Sequence, residues 1–401
     1  MKSIMGKPSL RAVTRLCLFI LLTLAITCFL LSCSTNSSTN LDQSDLQLDE
    51  AMALVYYSTS LTKEYYSKGT SYLLYIGKKG DIRTIAGEGL EWNAPVKLPG
   101  ADSLVVQRKN EVHVQNNDLK AQSYASPCSV SAGYRQMSGY LTGSNQYYSL
   151  FNKGVGPDSA YVSTFRWGDA GHHYCEEIGE FVEAQGSDEH AVYALTSNHD
   201  TLQGLHLVVL KPENGRLIQS KYPVRDMYTG SLNVQSDMIS YQDKLFVVYC
   251  TRADDDRIEL QVMEIDKRTR DTQTYPLHMY GKEPDNAFFS LSANSIGLLQ
   301  DTLYYVDGYG TIFPFSLETN TVGTAYSLSR FERKAYLNDE MGYVRGPYFY
   351  LYRFDEDKRT HKVEKYQLAD GTLVSELLIP NLRDVISPEV YLYDFQMLGD
   401  L

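Results

Sequence analysis

Tryptophan is almost missing from this chain of 401 residues: there are 2, beside 32 tyrosines and 14 phenylalanines. Cysteine is sparse too, 6 in all, and no two stand in a CxxC or CxxxC spacing, which excludes a zinc ribbon and a dense disulfide framework. No GxSxG, HExxH or CxxCH occurs, so the corresponding hydrolase, zincin and haem attachments are excluded. Gly308-Tyr309-Gly310 lacks the third glycine and the following helix of a dinucleotide site. Ser60-Leu61-Thr62-Lys63 has the SxxK spacing of penicillin-binding enzymes, but neither KTG nor SDN accompanies it, and in a serine-rich chain such a match arises by chance. Long helical periodicity is absent as well.

The first residues carry Lys2, Lys7, Arg11 and Arg15 and no acid, and an apolar run, Leu16 to Leu31, follows. That run is shorter than the ~20 residues a spanning helix needs, and a basic start before a short apolar stretch is the pattern of a secretory signal. A tilted, uncleaved anchor is the competing reading. Leu30-Leu31-Ser32-Cys33 resembles the lipobox of bacterial lipoproteins, although Leu31 is bulkier than the usual small residue. The resemblance implies that the Cys33 thiol is joined to diacylglycerol, that palmitate-type acylation follows, and that the chain is cut before Cys33. Ser34 to Asn40 has no apolar residue and reads as a tether. Several acyl chains, at ~0.8 kcal/mol per buried methylene, anchor a protein stably. The expected organisation is a signal peptide over 1–32, lipidated cysteine and tether over 33–55, and a folded body over 56–401. The expected location is the bacterial envelope: the outer membrane if Gram-negative, the outer face of the cell membrane if Gram-positive.

The chain has 37 basic and 49 acidic residues, a net charge of -12; removing the four basic residues of the signal leaves 33 against 49, or -16. Such a body repels phosphate backbones, which argues against nucleic acid as a partner. After cleavage Cys128, Cys175 and Cys250 remain beside Cys33. Cys250, in LFVVYC, reads as a small buried residue. Whether Cys128 and Cys175 pair is open at this level. The tyrosines suit half-buried strand positions, with sugar stacking as the alternative use.

From about residue 70 apolar and polar residues alternate in short runs between turn residues, the pattern of an all-β chain. A short helix is expected within Leu41 to Tyr57. Hairpins with polar turns recur about every 51 to 54 residues in the second half: Pro212 to Gly215, Asp266 to Thr269, Glu318 to Thr321 and Ala369 to Thr372. Similar turns lie near Asp169, Asn117 and Lys79, and a strong strand precedes each late hairpin. Four short antiparallel strands at this period are what a propeller blade needs. The expectation is a β-propeller of about seven blades, within a range of six to eight, probed against two β-sandwiches, for which no linker is seen. Glu389 to Met397 is a strand without a hairpin partner, suited to completing the first blade. Units such as LYYVDGYGTIFPFSLETNTV resemble blades of the PQQ-type and YVTN-type propellers, without the docking tryptophans of the former. The layout of lipobox then propeller is similar to the outer-membrane assembly propeller lipoprotein and to propeller lipoproteins of Bacteroidetes.

Chemistry is harder to find. If Gly171-His172-His173-Tyr174-Cys175-Glu176-Glu177 is a strand, His173, Cys175 and Glu177 share a face, but neighbours two apart are nearly ~7 Å apart and one ion would need a ligand from another blade. A polar outer strand is the expected reading, with no metal and no cofactor. Asp254-Asp255-Asp256 lacks the spacing and turn glycine of a calcium loop. The links between second and third strands are polar in four successive units: Ser197 to Asp200, Ala253 to Arg257, Asp307 to Gly310 and Asp355 to Thr360. His199, Asp200, Asp254, Asp255, Asp256, Asp307, Asp355 and Asp357 are therefore the candidate binding residues, on the rim where a rigid scaffold concentrates function. The expected function is that of a monomeric, membrane-anchored, non-enzymatic propeller lipoprotein binding a protein, peptide or glycan partner. The alternative is an envelope enzyme acting on glycans, which acids and aromatics converging at one mouth of the channel would favour.

Overall fold

The computed structural model describes residues 48–401 except 64–68, 92–94, 99–102, 107, 116–117, 123–127, 157–160, 199–202, 225–232 and 334–338. Residues 1–32, expected to be a signal peptide, and Cys33 lie outside the described residues.

One 3-10 turn, Leu48–Glu50, leads into β1 (Ala51–Thr59), β2 (Thr70–Gly77), β3 (Ile82–Glu88) and the two-residue β4 (Leu90–Glu91). Of the segment 41–57 expected to hold a short helix, 41–47 lie outside the described residues, 48–50 form the 3-10 turn and 51–57 are strand. All nine residues of β1 are buried, because it pairs on both sides, and that pairing overrides the helix preference of Ala, Met and Leu. A four-stranded sheet follows: β5 (Val96–Lys97), β6 (Ser103–Val106), β7 (Glu111–Gln115) and β8 (Asp118–Gln122). Then come β9 (Ala132–Leu141), β10 (Gln146–Val155), β11 (Tyr161–Gly168) and β12 (His173–Ile178). The next sheet is β13 (Phe181–Ser187), β14 (Val192–Asn198), β15 (Gln203–Glu213) and β16 (Arg216–Pro223). It is followed by β17 (Asn233–Val234), β18 (Ile239–Tyr241), β19 (Lys244–Arg252), β20 (Ile258–Asp266) and β21 (Thr272–Tyr280). A further sheet holds β22 (Ile296–Leu299), β23 (Thr302–Val306), β24 (Thr311–Ser316), β25 (Thr321–Val322) and β26 (Tyr326–Ser327). The last full sheet is β27 (Glu340–Arg345), β28 (Tyr348–Asp355), β29 (Thr360–Gln367) and β30 (Leu373–Ile379); a short helix, Leu382–Val385, leads to β31 (Val390–Met397).

β31 pairs antiparallel with β1, so the C-terminal strand joins the first one, as its missing hairpin partner suggests. The expectation of about seven separate blades is corrected: five sheets of four or five strands stand alone as blades, and the remaining strands form one nine-stranded sheet. The cause is β4. It pairs in parallel with Thr59 of β1 on one side and with Ala132 and Gly133 of β9 on the other, which carries the hydrogen-bond ladder from one set of strands into the next.

First strands of neighbouring sheets pack beside one another in order: β9 by β5, β13 by β9, β18 by β13, β22 by β18, β27 by β22 and β31 by β27. The apolar cores lie between neighbouring sheets. Val55, Tyr57, Phe395, Tyr352 and Val363 form one; Leu195, Leu207, Leu245 and Val247 form another; Phe246, Leu260, Tyr305 and Phe315 a third. Fully burying each such side chain is worth roughly 1.5–3 kcal/mol. Tyrosine fills these layers, as its composition suggests: Tyr56, Tyr57, Tyr75, Tyr147, Tyr148, Tyr305, Tyr350 and Tyr352 are all fully buried. The turn at Pro212 to Gly215 shows the local logic. Asn214 and Gly215 both have positive φ, the requirement of the two-residue hairpin that matches strand twist.

Candidate functional site

Ala253 to Arg257, Asp307 to Gly310 and Asp355 to Thr360 connect β19 to β20, β23 to β24 and β28 to β29, so each does join a second strand to a third. Hydrogen bonds through the segments between sheets stitch the three into one continuous face. Asn286 Nδ2 donates to the Asp256 carbonyl at 3.1 Å, and the Tyr309 hydroxyl donates to the Asp285 carbonyl at 2.7 Å. Arg333 Nη1 donates to the Gly308 carbonyl at 3.3 Å, and Arg353 Nη1 to the Glu332 carbonyl at 3.1 Å.

The candidate residues on this face differ in what they offer. Asp254, Asp255, Asp256 and Asp357 are exposed. Arg257 Nε meets Asp255 Oδ2 at 2.8 Å and Arg252 lies 3.5 Å from Asp256, so the run is partly neutralised within its own loop. Asp355 is half-buried; its burial penalty is outweighed by the Lys358 N–H at 3.0 Å and the Lys362 ammonium at 3.0 Å, which together hold its carboxyl below the usual range. Asp307 is completely buried. Its carboxylate accepts from the Tyr280 hydroxyl at 2.7 Å and from the backbone N–H groups of Thr311 and Tyr309 at 2.7 and 2.9 Å. Burial pushes its pKa up to about 6 in spite of those donors. It fixes the link from within and is shut off from a partner by its burial. His199 and Asp200 lie outside the described residues.

A cavity of about 220 Å³ opens on the same face, lined by Arg330, Glu332, Arg333 and Glu340 on one side and by Asp355, Glu356 and Asp357 on the other. Its floor is an ion pair: Arg333 Nε lies 2.7 Å from Glu340 Oε2, both side chains almost fully buried. Arg333 also stacks over Phe288 at 4.8 Å. The mouth carries exposed Arg330, Glu332, Glu356 and Asp357.

A second cavity of about 220 Å³ is lined by first strands or their approaches in five sets of strands: Gln136, Asp237, Asn294, Tyr343, Tyr393 and Asp394 are among its walls. Asp237 is pushed up to about 7, first by its burial and then by repulsion from Asp394. Asp394 Oδ2 accepts from Gln396 Nε2 at 2.7 Å, and Oδ1 lies 3.4 Å from Asn294 Nδ2. Two carboxyl groups, one with its pKa raised, beside two tyrosines form a chemically poised set. Sequence reasoning missed it, because its members come from distant turns of the ring. The only signal was the acid within each strand pattern, which alternation alone does not distinguish from a solvated face.

The strand expected at Gly171 to Glu177 is β12, and its ligand-type face is divided among three structural roles. Cys175 is disulfide-bonded to Cys128, with Cα atoms 6.2 Å apart. Glu177 is ion-paired with Lys153. His173 meets Glu111 and His113 of β7, a group whose donor atoms all lie within 4.8 Å of one another. Cys250 is buried and unbonded, its thiol pushed up to about 11 by burial. Among the described residues no helix is long and apolar enough to cross a membrane.

Comparison with known proteins places the chain. The D477G ACO/RPE65 chimera covers 85% of this chain and 92% of its own length at 9% identity and a TM-score of 0.49. BamB from Moraxella catarrhalis covers 84% and 91% at 12% identity and 0.45, and apo AztD from Citrobacter koseri 85% and 86% at 10% identity and 0.45. At such low similarity these structures bear on neither site nor activity. The sequence relative is informative: the uncharacterized protein YycP of Bacillus subtilis (strain 168) is 23% identical over 373 residues, 90% of this chain and 92% of its own. A family model described as "YycP, beta-propeller domain" matches residues 47–398, nearly the whole described body. The chain belongs to the YycP β-propeller family.

Proposed function

We propose that this propeller is a membrane-anchored binding module of the bacterial envelope, held by acyl chains on Cys33 and free of catalysis. Its partner is a protein or peptide segment carrying charges of both signs. The observation that supports this most is the continuous face built from the links at 253–257, 307–310 and 355–360, with its mixed-charge cavity. Glu340 and Asp355 of its walls belong to strands β27 and β28, and Arg333 is tied by hydrogen bonds to the Ser290 and Gly308 carbonyls, so the surface is preorganised and little ordering entropy opposes binding. Its volume, about 220 Å³, is under the ~300–1,000 Å³ of small-molecule sites and suits one or two side chains of a larger partner.

The test is photo-crosslinking in intact cells from a probe placed at Thr360, beside the cavity link. One discrete crosslinked protein is expected with the wild-type face, and its loss with Glu356→Lys/Asp357→Lys, at unchanged expression and melting temperature. Retention of the same adduct by the double variant would overturn the reading. Anchoring is tested separately: an alkyne fatty acid should label the wild type and not Cys33→Ser.

A second reading, an enzyme acting on envelope glycans, draws support from the cavity of Asp237, Asp394, Tyr343 and Tyr393. A carboxyl with a raised pKa beside a second carboxyl is the pair of groups that a glycosidase uses. Hydrolysis of purified envelope glycans by the wild type and not by Asp237→Asn would replace the first reading with this one.

A further inference from the structure

We propose that Glu111, His113 and His173 form a binding site for a divalent transition metal, with zinc the ion their chemistry fits best. Glu111 and His113 are two apart on β7 and share a face; His173 opens β12 in the adjoining sheet. The spacing problem of a single strand is thereby avoided, since two side chains lean together from one strand and the third comes from another sheet. His113 Nε2 lies 2.6 Å from Glu111 Oε1, and His173 Nδ1 lies 3.2 Å from the same oxygen. Ligands at ~2.0–2.1 Å around a tetrahedral zinc are about 3.3 Å apart, so these atoms reach that arrangement with movements of under about an ångström. The two imidazoles meet edge to face, centroids 4.9 Å apart and planes at 73°, which lets both nitrogens point to one locus.

The donor set decides the class of ion. Two imidazoles and a carboxylate suit zinc and its neighbours, whereas calcium and magnesium need about six or more oxygens. The fourth position falls to the Tyr147 hydroxyl or to a solvent oxygen: that hydroxyl donates to Glu111 Oε1 at 2.6 Å and stands 2.7 Å from His173 Nδ1. Glu111 is fully buried, while the histidine side chains are 16% and 13% exposed, which gives the ion a way in along the ring edges. The surroundings are rigid. Two residues beyond His173, Cys175 is tied to Cys128, whose carbonyl accepts from Arg166 Nη2 at 3.1 Å. A bound ion would clamp β7 to β12 beside that disulfide.

The experiment uses the full untagged chain, stripped with a chelator and titrated with zinc against a chromophoric competitor, and with cobalt followed by visible absorption. About one zinc per chain is expected, with ligand-field bands from cobalt and a rise in melting temperature on zinc addition. His113→Ala and Glu111→Gln should each weaken zinc by more than about 100-fold, and Tyr147→Phe by about 10–100-fold, the range for groups that orient or support ligands. Should Glu111→Gln fail to fold, His113→Ala carries the test, because its ring is partly exposed and circular dichroism in chelator reports its fold. A wild type that binds no stoichiometric zinc, or equal affinity in wild type and His113→Ala, would overturn the proposal and leave a hydrogen-bonded polar cluster.

Discussion

Val55 and Phe395 are register partners on antiparallel strands from the two ends of the folded chain. The pairing makes β31 an inner strand whose loss would expose the edge of β1. Val390, Phe395 and Met397 are buried, and at roughly 1.5–3 kcal/mol each they contribute about 5–9 kcal/mol, comparable to the whole net stability of a typical domain, roughly 5–15 kcal/mol. Ending the chain before Ser387 should therefore give an aggregated or unfolded product. A cooperative melt within a degree or two of the intact protein would show that the closure is dispensable.

The disulfide gives a second expectation. Cys128 and Cys175 are 47 residues apart, and closing such a loop removes about 4 kcal/mol of unfolded-chain entropy in the chain-entropy account. Reductant should lower the melting temperature of the wild type by several degrees and leave a Cys128→Ser/Cys175→Ser double variant unmoved. Equal sensitivity of both to reductant would contradict this.

Asp237 gives a pH dependence with a definite sign. Its carboxyl titrates at about 7 in the fold, against ~3.9 in an unfolded chain, because burial and Asp394 disfavour its charge. A raised acid pKa stabilises the fold fully below pH ~4, and that contribution is lost as pH rises to about 7. The residue as a whole stays partly exposed, so the effect is discounted to roughly 1–2 kcal/mol. Asp237→Asn should thus melt higher than the wild type at pH 8 and show a flatter stability profile between pH 4 and 7. Parallel profiles for the two proteins would show that Asp237 titrates normally.

Much of the strand order was legible because each hairpin is a local event: alternation, then a turn with Asn, Gly or Asp, then alternation. Asn214-Gly215 and Asp370-Gly371 need only their own neighbours to turn. What failed was set by distant pairing. β4 is two residues long, with Glu91 at positive φ, and no pattern marks Leu90 as a bridge between Thr59 and Ala132. Ala51 to Tyr57, the end of the segment read as holding a helix, is strand because β2 and β31 flank it. Asp307 reads as a rim acid, yet it is drawn inward by Tyr280, which lies on the strand of a neighbouring sheet. The same holds for Glu111 and His113, whose meaning appears only when His173 is beside them.

The acidic link at Asp254 to Asp256 separates a binding role from a structural one. These carboxylates are exposed, and their ion pairs with Arg257 and Arg252 are of the surface kind, which contributes little to stability. Asp256 has φ of +68°, a conformation that asparagine also accepts, so Asp254, Asp255 and Asp256 can all become Asn without backbone strain. The triple variant should melt within a few degrees of the wild type. If the face binds a partner with a complementary basic patch, capture should fall at low ionic strength, where the field of these loops reaches furthest. It should fall less at high salt, where screening has already shortened that reach to a few ångströms. The comparison is a pull-down of the partner identified by crosslinking, at low and high salt, with both proteins. Equal capture at both salts would assign Asp254 to Asp256 to a solvated connector and confine the binding surface to the cavity between Arg330 and Asp357.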